Sequence, residues 1–249
     1  MTPAIIRVLV VDDSAYVRKM VRQLLSRSPF IEVIGVARDG AEALEMAEEL
    51  RPDVVTCDIT MPVMDGVAFV RAQMAHRPVP IVIISVASGN GEQVLSALDA
   101  GAVDFVQKPT ALADERLLDI GDDLTAKVKA ASTASVMSLP PVEATNGAPK
   151  RPHAPRTTGR VEIVVLGVST GGPQGLKVVI PALPSDFPVP VAVVLHMPVG
   201  YTELYAQKLD EMSPLHVAEA REGDEVVAGC VFIAPAGRHL TFRRQADGT

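Results

Sequence analysis

The chain has 249 residues, 48% of them hydrophobic and 21% charged, so it is long enough for two modest domains and too apolar for global disorder. Its formal net charge of -7 argues against broad binding to nucleic acid or to an anionic membrane. No run reaches the roughly eighteen apolar residues of a membrane helix, and the apolar Ile5–Val11 ends at once in Asp12 and Asp13, which is wrong for a secretory peptide. No membrane insertion is expected, and the cytoplasm is the expected location. The two cysteines, Cys57 and Cys230, sit in apolar runs and read as buried reduced thiols.

Short β-branched runs alternate with helical patterns from the start. Ile5–Val11 reads as a strand, and Tyr16, Met20 and Leu24 recur at helical spacing behind a Ser14 cap. Glu32–Ala37 is the second strand and Ala41–Leu50 a helix stopped before Pro52. Asp53–Cys57 is the third strand, followed by a Pro/Gly-bearing loop at Met61–Gly66 and a helix at Phe69–Met74. Pro80–Ile84, the helix Gln93–Ala100, Val103–Val106 and a last helix at Asp114–Ala130 complete five β-α repeats. Such repeats predict a parallel sheet with helices on both faces. Ala131–Arg160 then turns to Ala, Ser, Thr and Pro without periodicity, and reads as an interdomain linker. The expected division is a first domain at 1–125, a linker at 126–160 and a second domain at 161–249.

In the second unit Ile163–Val168 and Val189–Leu195 read as strands, with helices at Gly175–Leu183, opened by Pro173 near its first turn, and at Thr202–Met212. Val217–Ala220, Val231–Ala234 and Leu240–Arg243 read as short strands, and Ala246-Asp247-Gly248 has hairpin-turn chemistry. With no partner strand after that turn, the second domain is expected to be incomplete.

Ligands of a parallel α/β sheet bind at the carboxyl ends of its strands. Asp12 and Asp13 follow the first strand, Asp58 the third, Ser85 ends the fourth, and Lys108 follows the fifth. Carboxylates gathered at one edge call for a cation, and hard oxygen ligands select magnesium or calcium. A hydroxyl and an ammonium beside them suit a phosphoryl group. Singly, the acid pair reads as a capping or solvated loop feature and the Lys108-Pro109 pair as a turn. The ordered set is harder to dismiss.

These segments resemble the response-regulator receiver family: Val10-Val11-Asp12-Asp13-Ser14, Asp58 through Gly66, Ile84-Ser85 and Phe105-Val106-Gln107-Lys108-Pro109. The resemblance implies a doubly wound, flavodoxin-like domain in which Asp58 is the phosphoacceptor. It implies Mg2+ held by Asp12, Asp13, Asp58 and the backbone carbonyl of Thr60. Ser85 and Lys108 would contact the phosphoryl oxygens, Phe105 would be the aromatic switch, and a histidine kinase would be the phosphodonor.

The second unit offers two readings. Gly167, Gly171 and Gly172 are only loosely like a dinucleotide cradle, and the next strand ends in His196 rather than an acid, so that reading is demoted. The other takes Ser169 as a nucleophile at a strand-to-helix turn and His196 as its base, with the following N–H groups as oxyanion donors. On composition alone a helix-cap serine and a satisfied histidine are the favoured readings.

Residues 161–243 are similar to the catalytic domain of the chemotaxis protein-glutamate methylesterases (CheB). The matching stretches are Gly167 through Pro173, His196-Met197-Pro198, Glu222-Gly223-Asp224 and Ile233 through His239. The resemblance implies a Rossmann-like α/β domain, Ser169 as nucleophile and His196 as base. The substrate would be methylated glutamate on the cytoplasmic domain of a chemoreceptor, with deamidation of glutamine as a second activity. It also implies a phosphorylation-regulated enzyme whose unphosphorylated receiver covers the catalytic edge. The family's triad aspartate lies in a segment beyond residue 249, and none of Asp210, Asp224 and Asp247 sits in a matching motif. The chain is therefore expected to be truncated, and the alternative function is a receiver signalling module whose second domain is catalytically incompetent. No basic recognition helix follows the linker, which argues against a DNA-binding output.

Overall fold

The computed structural model describes residues 5–86, 91–108, 114–134 and 161–243. Most of the expected linker, Pro109 and the Ala246–Gly248 turn lie outside the described residues.

The first sheet is built from β1 (Ile6–Val11), β2 (Ile31–Ala37), β3 (Val54–Asp58), β4 (Ile81–Val86) and β5 (Asp104–Lys108). All its pairings are parallel and the order is β2-β1-β3-β4-β5. Its connecting helices are α1 (Ala15–Leu25), α2 (Gly40–Leu50), α3 (Gly66–His76) and α4 (Gly91–Asp99), and α5 (Asp114–Ser132) follows. The helix starts follow from local chemistry. Ser14, Asp39 and Asp65 each turn a side-chain oxygen onto a first-turn N–H of α1, α2 and α3. Helix α5 runs on to Ser132, so residues 126–132, expected to open the linker, are helical.

Successive strand residues face opposite sides. Val8, Val10, Val82 and Val106 pack with α1 and α5, while Leu9, Val11, Ile83 and Phe105 pack with α2, α3 and α4. This two-sided burial explains the unbroken apolar runs.

The second sheet holds β6 (Val164–Val168), β7 (Val191–Leu195), β8 (His216–Glu219) and β9 (Cys230–Ile233), all parallel, in the order β6-β7-β9-β8. Helix α6 (Gly172–Val179) follows β6 and α7 (Thr202–Met212) follows β7. Helix α6 begins at Gly172, three residues before the expected Gly175, and Pro173 stands in its first turn as expected, where no N–H donor is missed. It ends at Val179 rather than Leu183. Leu240–Arg243, expected as a strand, has no regular structure and pairs with no strand among the described residues. Both cysteines are free, but Cys230 is half-buried rather than buried.

One apolar cluster runs through both sheets, taking in Leu98 and Phe105 on one side and Leu176, Tyr201 and Tyr205 on the other. Helix α4 lies against α6 and α7. Gln174 donates to the backbone carbonyls of Leu98 and Ala102, and Lys177 and Lys208 both pair with Asp99.

Candidate functional site

The carboxyl edge of the first sheet gathers the expected acids. Ligand oxygens of Asp12, Asp13 and Asp58 lie within 4.8 Å of one another, with Asp12 and Asp58 buried and Asp13 exposed. Asp58 is the last residue of β3 and Lys108 the last of β5, two strands away across β4. The Lys108 ammonium bridges the acids, 2.7 Å from Asp12 Oδ2 and 3.0 Å from Asp58 Oδ2. The second Asp58 oxygen accepts from the Ile59 N–H at 2.8 Å, and Asp12 Oδ1 accepts from the Ser14 N–H at 2.9 Å.

Burial pushes the Asp58 carboxyl above its usual range, and Lys108 offsets only part of that. Burial pulls the Lys108 ammonium down, but its hydrogen bond and attraction to Asp12, with Asp58 adding, outweigh it and leave it above the ordinary lysine range. The edge therefore holds concentrated negative charge that one ammonium does not fully neutralise.

The loop after Asp58 is tightly fitted. Gly66 donates to the Ile59 carbonyl at 2.8 Å, and a Cβ there would lie 2.1 Å from the Asp58 carbonyl oxygen. No other residue lets α3 start so close to the strand end. Val63 in the same loop has φ 65°, a strained conformation for a β-branched residue, and is exposed. Thr60, two residues past Asp58, is exposed. Ser85 lies on β4, and its buried hydroxyl has no hydrogen-bond partner among the described residues.

Phe105 is fully buried on β5, three residues before Lys108. Its ring centroid is 5.0 Å from that of Tyr201, with the planes tilted by 48°. Tyr201 precedes α7 and comes five residues after His196. Its own hydroxyl is buried without a partner among the described residues. The Lys127 ammonium donates to the Phe105 carbonyl at 2.7 Å, lies 3.4 Å from Asp104, and sits 5.7 Å from the centre of the Phe105 ring. Neither Tyr201 nor Lys127 was legible as a partner of Phe105: Lys127 sits at an ordinary helical position and Tyr201 just before a helix, and the pairings exist only in three dimensions.

The second constellation follows from strand register. Val168 pairs with Leu195 at the ends of β6 and β7. Ser169 and His196 are the next residue on each strand, and the His196 N–H donates to the Val168 carbonyl at 3.3 Å. Both side chains are exposed, and no hydrogen bond joins them. Catalytic hydrogen bonds are often loose without substrate. Gly171 has φ 75° and the Gly172 N–H donates to the Ser169 carbonyl at 2.6 Å. A Cβ on Gly172 would lie 2.8 Å from the Val168 Cβ, so the glycine lets the turn press against β6. No side chain caps α6, but its Gly172 N–H is already engaged and Pro173 has none, so an incoming oxyanion would be met by other N–H groups of the turn.

Asp210 is occupied with the Val217 N–H and the His216 ring, and Asp224 with the Arg221 N–H, so neither orients His196. A cleft of about 500 Å³ between α7 and β8, lined by Asp210, His216 and Glu219 among others, contains neither Ser169 nor His196. Among the described residues no helix is long and apolar enough to cross a membrane.

Residues 8–120 match the family model of the response regulator receiver domain, and residues 164–249 match that of CheB methylesterase. The protein-glutamate methylesterase/protein-glutamine glutaminase 5 of Myxococcus xanthus is 47% identical over 98% of this chain and 70% of its own length. The corresponding protein of Bacillus subtilis is 39% identical over 98% of this chain and 70% of its own. The crystal structure of the response regulator domain of Thermotoga maritima CheB covers 53% of this chain and 99% of that chain, at 36% identity and a TM-score of 0.49.

Proposed function

Because the chain belongs to the receiver-bearing CheB family of protein-glutamate methylesterases/protein-glutamine glutaminases, we propose that Asp58 is its phosphoacceptor and that phosphorylation there governs an ester hydrolase built on Ser169 and His196. The observation that carries this reading is the Phe105–Tyr201 contact, which joins the acidic edge to the segment bearing His196.

The donor set at the acidic edge fits Mg2+: three carboxylates within reach of one another, two of them buried. Asp12, Asp13, Asp58 and the Thr60 carbonyl would hold the ion, which when bound neutralises charge on the transferring phosphoryl group. Asp58 attacks the phosphorus of a phosphohistidine on a kinase, and Lys108 takes up the new negative charge beside it. The Ser85 hydroxyl, which lacks a partner among the described residues, turns to the phosphoryl oxygen. Phe105 repacks behind it and loosens its contact with Tyr201. The packing of α4 on α6 and α7 is thus the resting, closed form, and phosphorylation shifts the balance toward an open one.

In the open form Ser169 Oγ attacks the ester carbonyl of a methylated glutamate side chain. His196 takes the serine proton, backbone N–H groups of the turn at Ser169 hold the oxyanion, and the departing methoxide leaves as methanol with that proton. Water then releases glutamate from the acyl-enzyme. The same steps on a glutamine side chain expel ammonia. The substrate is placed on the cytoplasmic part of a chemoreceptor, and the cytoplasm is the location consistent with that partner.

The test is phosphate incorporation from a phosphorylated histidine kinase. Wild type takes up label that is stable to neither acid nor base extremes, as an acyl phosphate should be. Equal uptake by Asp58→Asn contradicts the assignment.

A further inference from the structure

Tyr205 is completely buried in α7, and its hydroxyl donates to the Pro173 carbonyl at 2.6 Å. A buried phenol requires a partner, but this partner is in neither its own helix nor the sheet. Pro173 is the second residue of α6, four residues beyond Ser169. Among the described residues this is the one side-chain hydrogen bond that runs directly between α6 and α7. Burial holds the phenol well above its usual pKa, so it remains a proton donor throughout the neutral range.

The position of this bond relates the two halves of the reactive pair. Ser169 and the turn after it lead straight into Pro173, and the segment from His196 leads through Tyr201 into α7. The sheet ladder fixes the backbone at Val168 and Leu195. Beyond those residues both strands have ended, and the turn that carries Ser169 is held by little. Gly171 adopts a left-handed conformation and contributes no side chain, and α6 has no side-chain cap. What remains is the approach of Gly172 to Val168, the Gly172 N–H bond to the Ser169 carbonyl, the Gln174 bonds to Leu98 and Ala102 on the first-sheet side, and the bond from Tyr205 to Pro173, and of these only the last ties α6 to the helix that follows His196.

We propose that Tyr205 is a positioning residue for the Ser169 nucleophile, its hydroxyl locking the entry of α6 to the helix that follows His196. The lock keeps the turn where Ser169 Oγ can reach the imidazole and where backbone N–H groups of the turn can face the same reacting carbonyl. A shift of an ångström in such a turn is enough to slow chemistry by orders of magnitude. The inference rests on Ser169 being the nucleophile.

The experiment measures covalent capture of Ser169 in the full chain by a fluorophosphonate probe, with adduct mass located by peptide mapping. Serine Oγ forms the P–O bond, fluoride leaves, and the serine proton passes to His196. The limiting rate and the half-saturating probe concentration are determined for wild type, Tyr205→Phe, Leu209→Val and Ser169→Ala, with the folded fraction of each measured by circular dichroism. Tyr205→Phe keeps the ring in the core and removes only the hydroxyl. Its limiting rate is expected to fall about tenfold, the equivalent of one buried hydrogen bond, while half-saturation stays unchanged. Leu209 is fully buried in the same helix, so Leu209→Val loosens it while retaining the Tyr205 hydroxyl, and is expected to lose stability but keep the wild-type rate. A wild-type rate in Tyr205→Phe, or an equal slowing in Leu209→Val, overturns the positioning role and leaves Ser169 standing. Labelling of wild type no faster than Ser169→Ala removes the nucleophile itself, and Tyr205 with it.

Discussion

Replacing Tyr201 by phenylalanine deletes one oxygen atom from the contact between the two sheets. Tyr201 is 3% exposed, its ring lies 5.0 Å from Phe105, and its hydroxyl has no hydrogen-bond partner among the described residues. A buried hydroxyl without a partner forfeits its bonds to water, a penalty of about 1–3 kcal/mol. Separation of α4 from α6 and α7 returns that hydroxyl to water, so the penalty falls on the closed form alone. Tyr201→Phe should therefore strengthen closure by roughly the same amount, which is about 5- to 150-fold in the closed-to-open ratio. The assay is methanol release from a methylated receptor fragment, with and without acetyl phosphate as phosphodonor. The unstimulated rate is expected to fall by that factor, and the ratio of stimulated to unstimulated rate to rise. Tyr201→Ala removes the aromatic contact as well and should raise the unstimulated rate. An unstimulated rate in Tyr201→Phe equal to or above wild type refutes the idea that this hydroxyl opposes closure.

Three further outcomes follow from the same geometry. Asp58 has its carboxyl raised by burial, so the folded chain holds that proton more tightly than the unfolded chain, whose ordinary value is 3.8. Stability should then fall as pH rises from 3.8 through the raised value, and urea unfolding of Asp58→Asn should lack that fall and show greater stability than wild type at pH 7. Mg2+ at a hundred times its dissociation constant should add about 2.7 kcal/mol to wild type, read as a rise in Tm, and Asp13→Asn should lose most of that gain. Asp99 pairs with both Lys177 and Lys208 but is itself half-exposed. Each pair is therefore worth under about 1 kcal/mol, so Asp99→Asn should raise the unstimulated rate only a few-fold, and molar salt should do the same to wild type but not to the variant.

Much of the first domain was legible because its chemistry sits at strand ends. The β-branched runs place Asp12, Asp58, Ser85 and Lys108 on one sheet edge, and the structure brings Lys108 between Asp12 and Asp58. Capping residues were partly readable: Ser14 was expected, whereas Asp39 and Asp65 were not singled out although they do the same work. The start of α6 was misplaced because the two glycines before Pro173 read as loop, while in space Gly172 opens the helix against Val168. Leu240–Arg243 has strand-like composition, but a strand needs a neighbour, and none pairs with it among the described residues. The contacts joining the sheets were illegible throughout. Phe105 and Tyr201 are 96 positions apart, and Asp99 meets Lys177 and Lys208 across similar gaps. No periodicity encodes such pairings; they arise once α4 lies on α6 and α7.

The proposal that Asp58 controls an esterase whose nucleophile is Ser169 has a direct test. The direct measurement is methanol release from a methylated receptor fragment by wild type, Asp58→Asn and Ser169→Ala, each with and without acetyl phosphate. Wild type is expected to release methanol faster with the phosphodonor, Asp58→Asn to release it without responding, and Ser169→Ala to release none. Release that survives Ser169→Ala, or a phosphodonor response that survives Asp58→Asn, contradicts it.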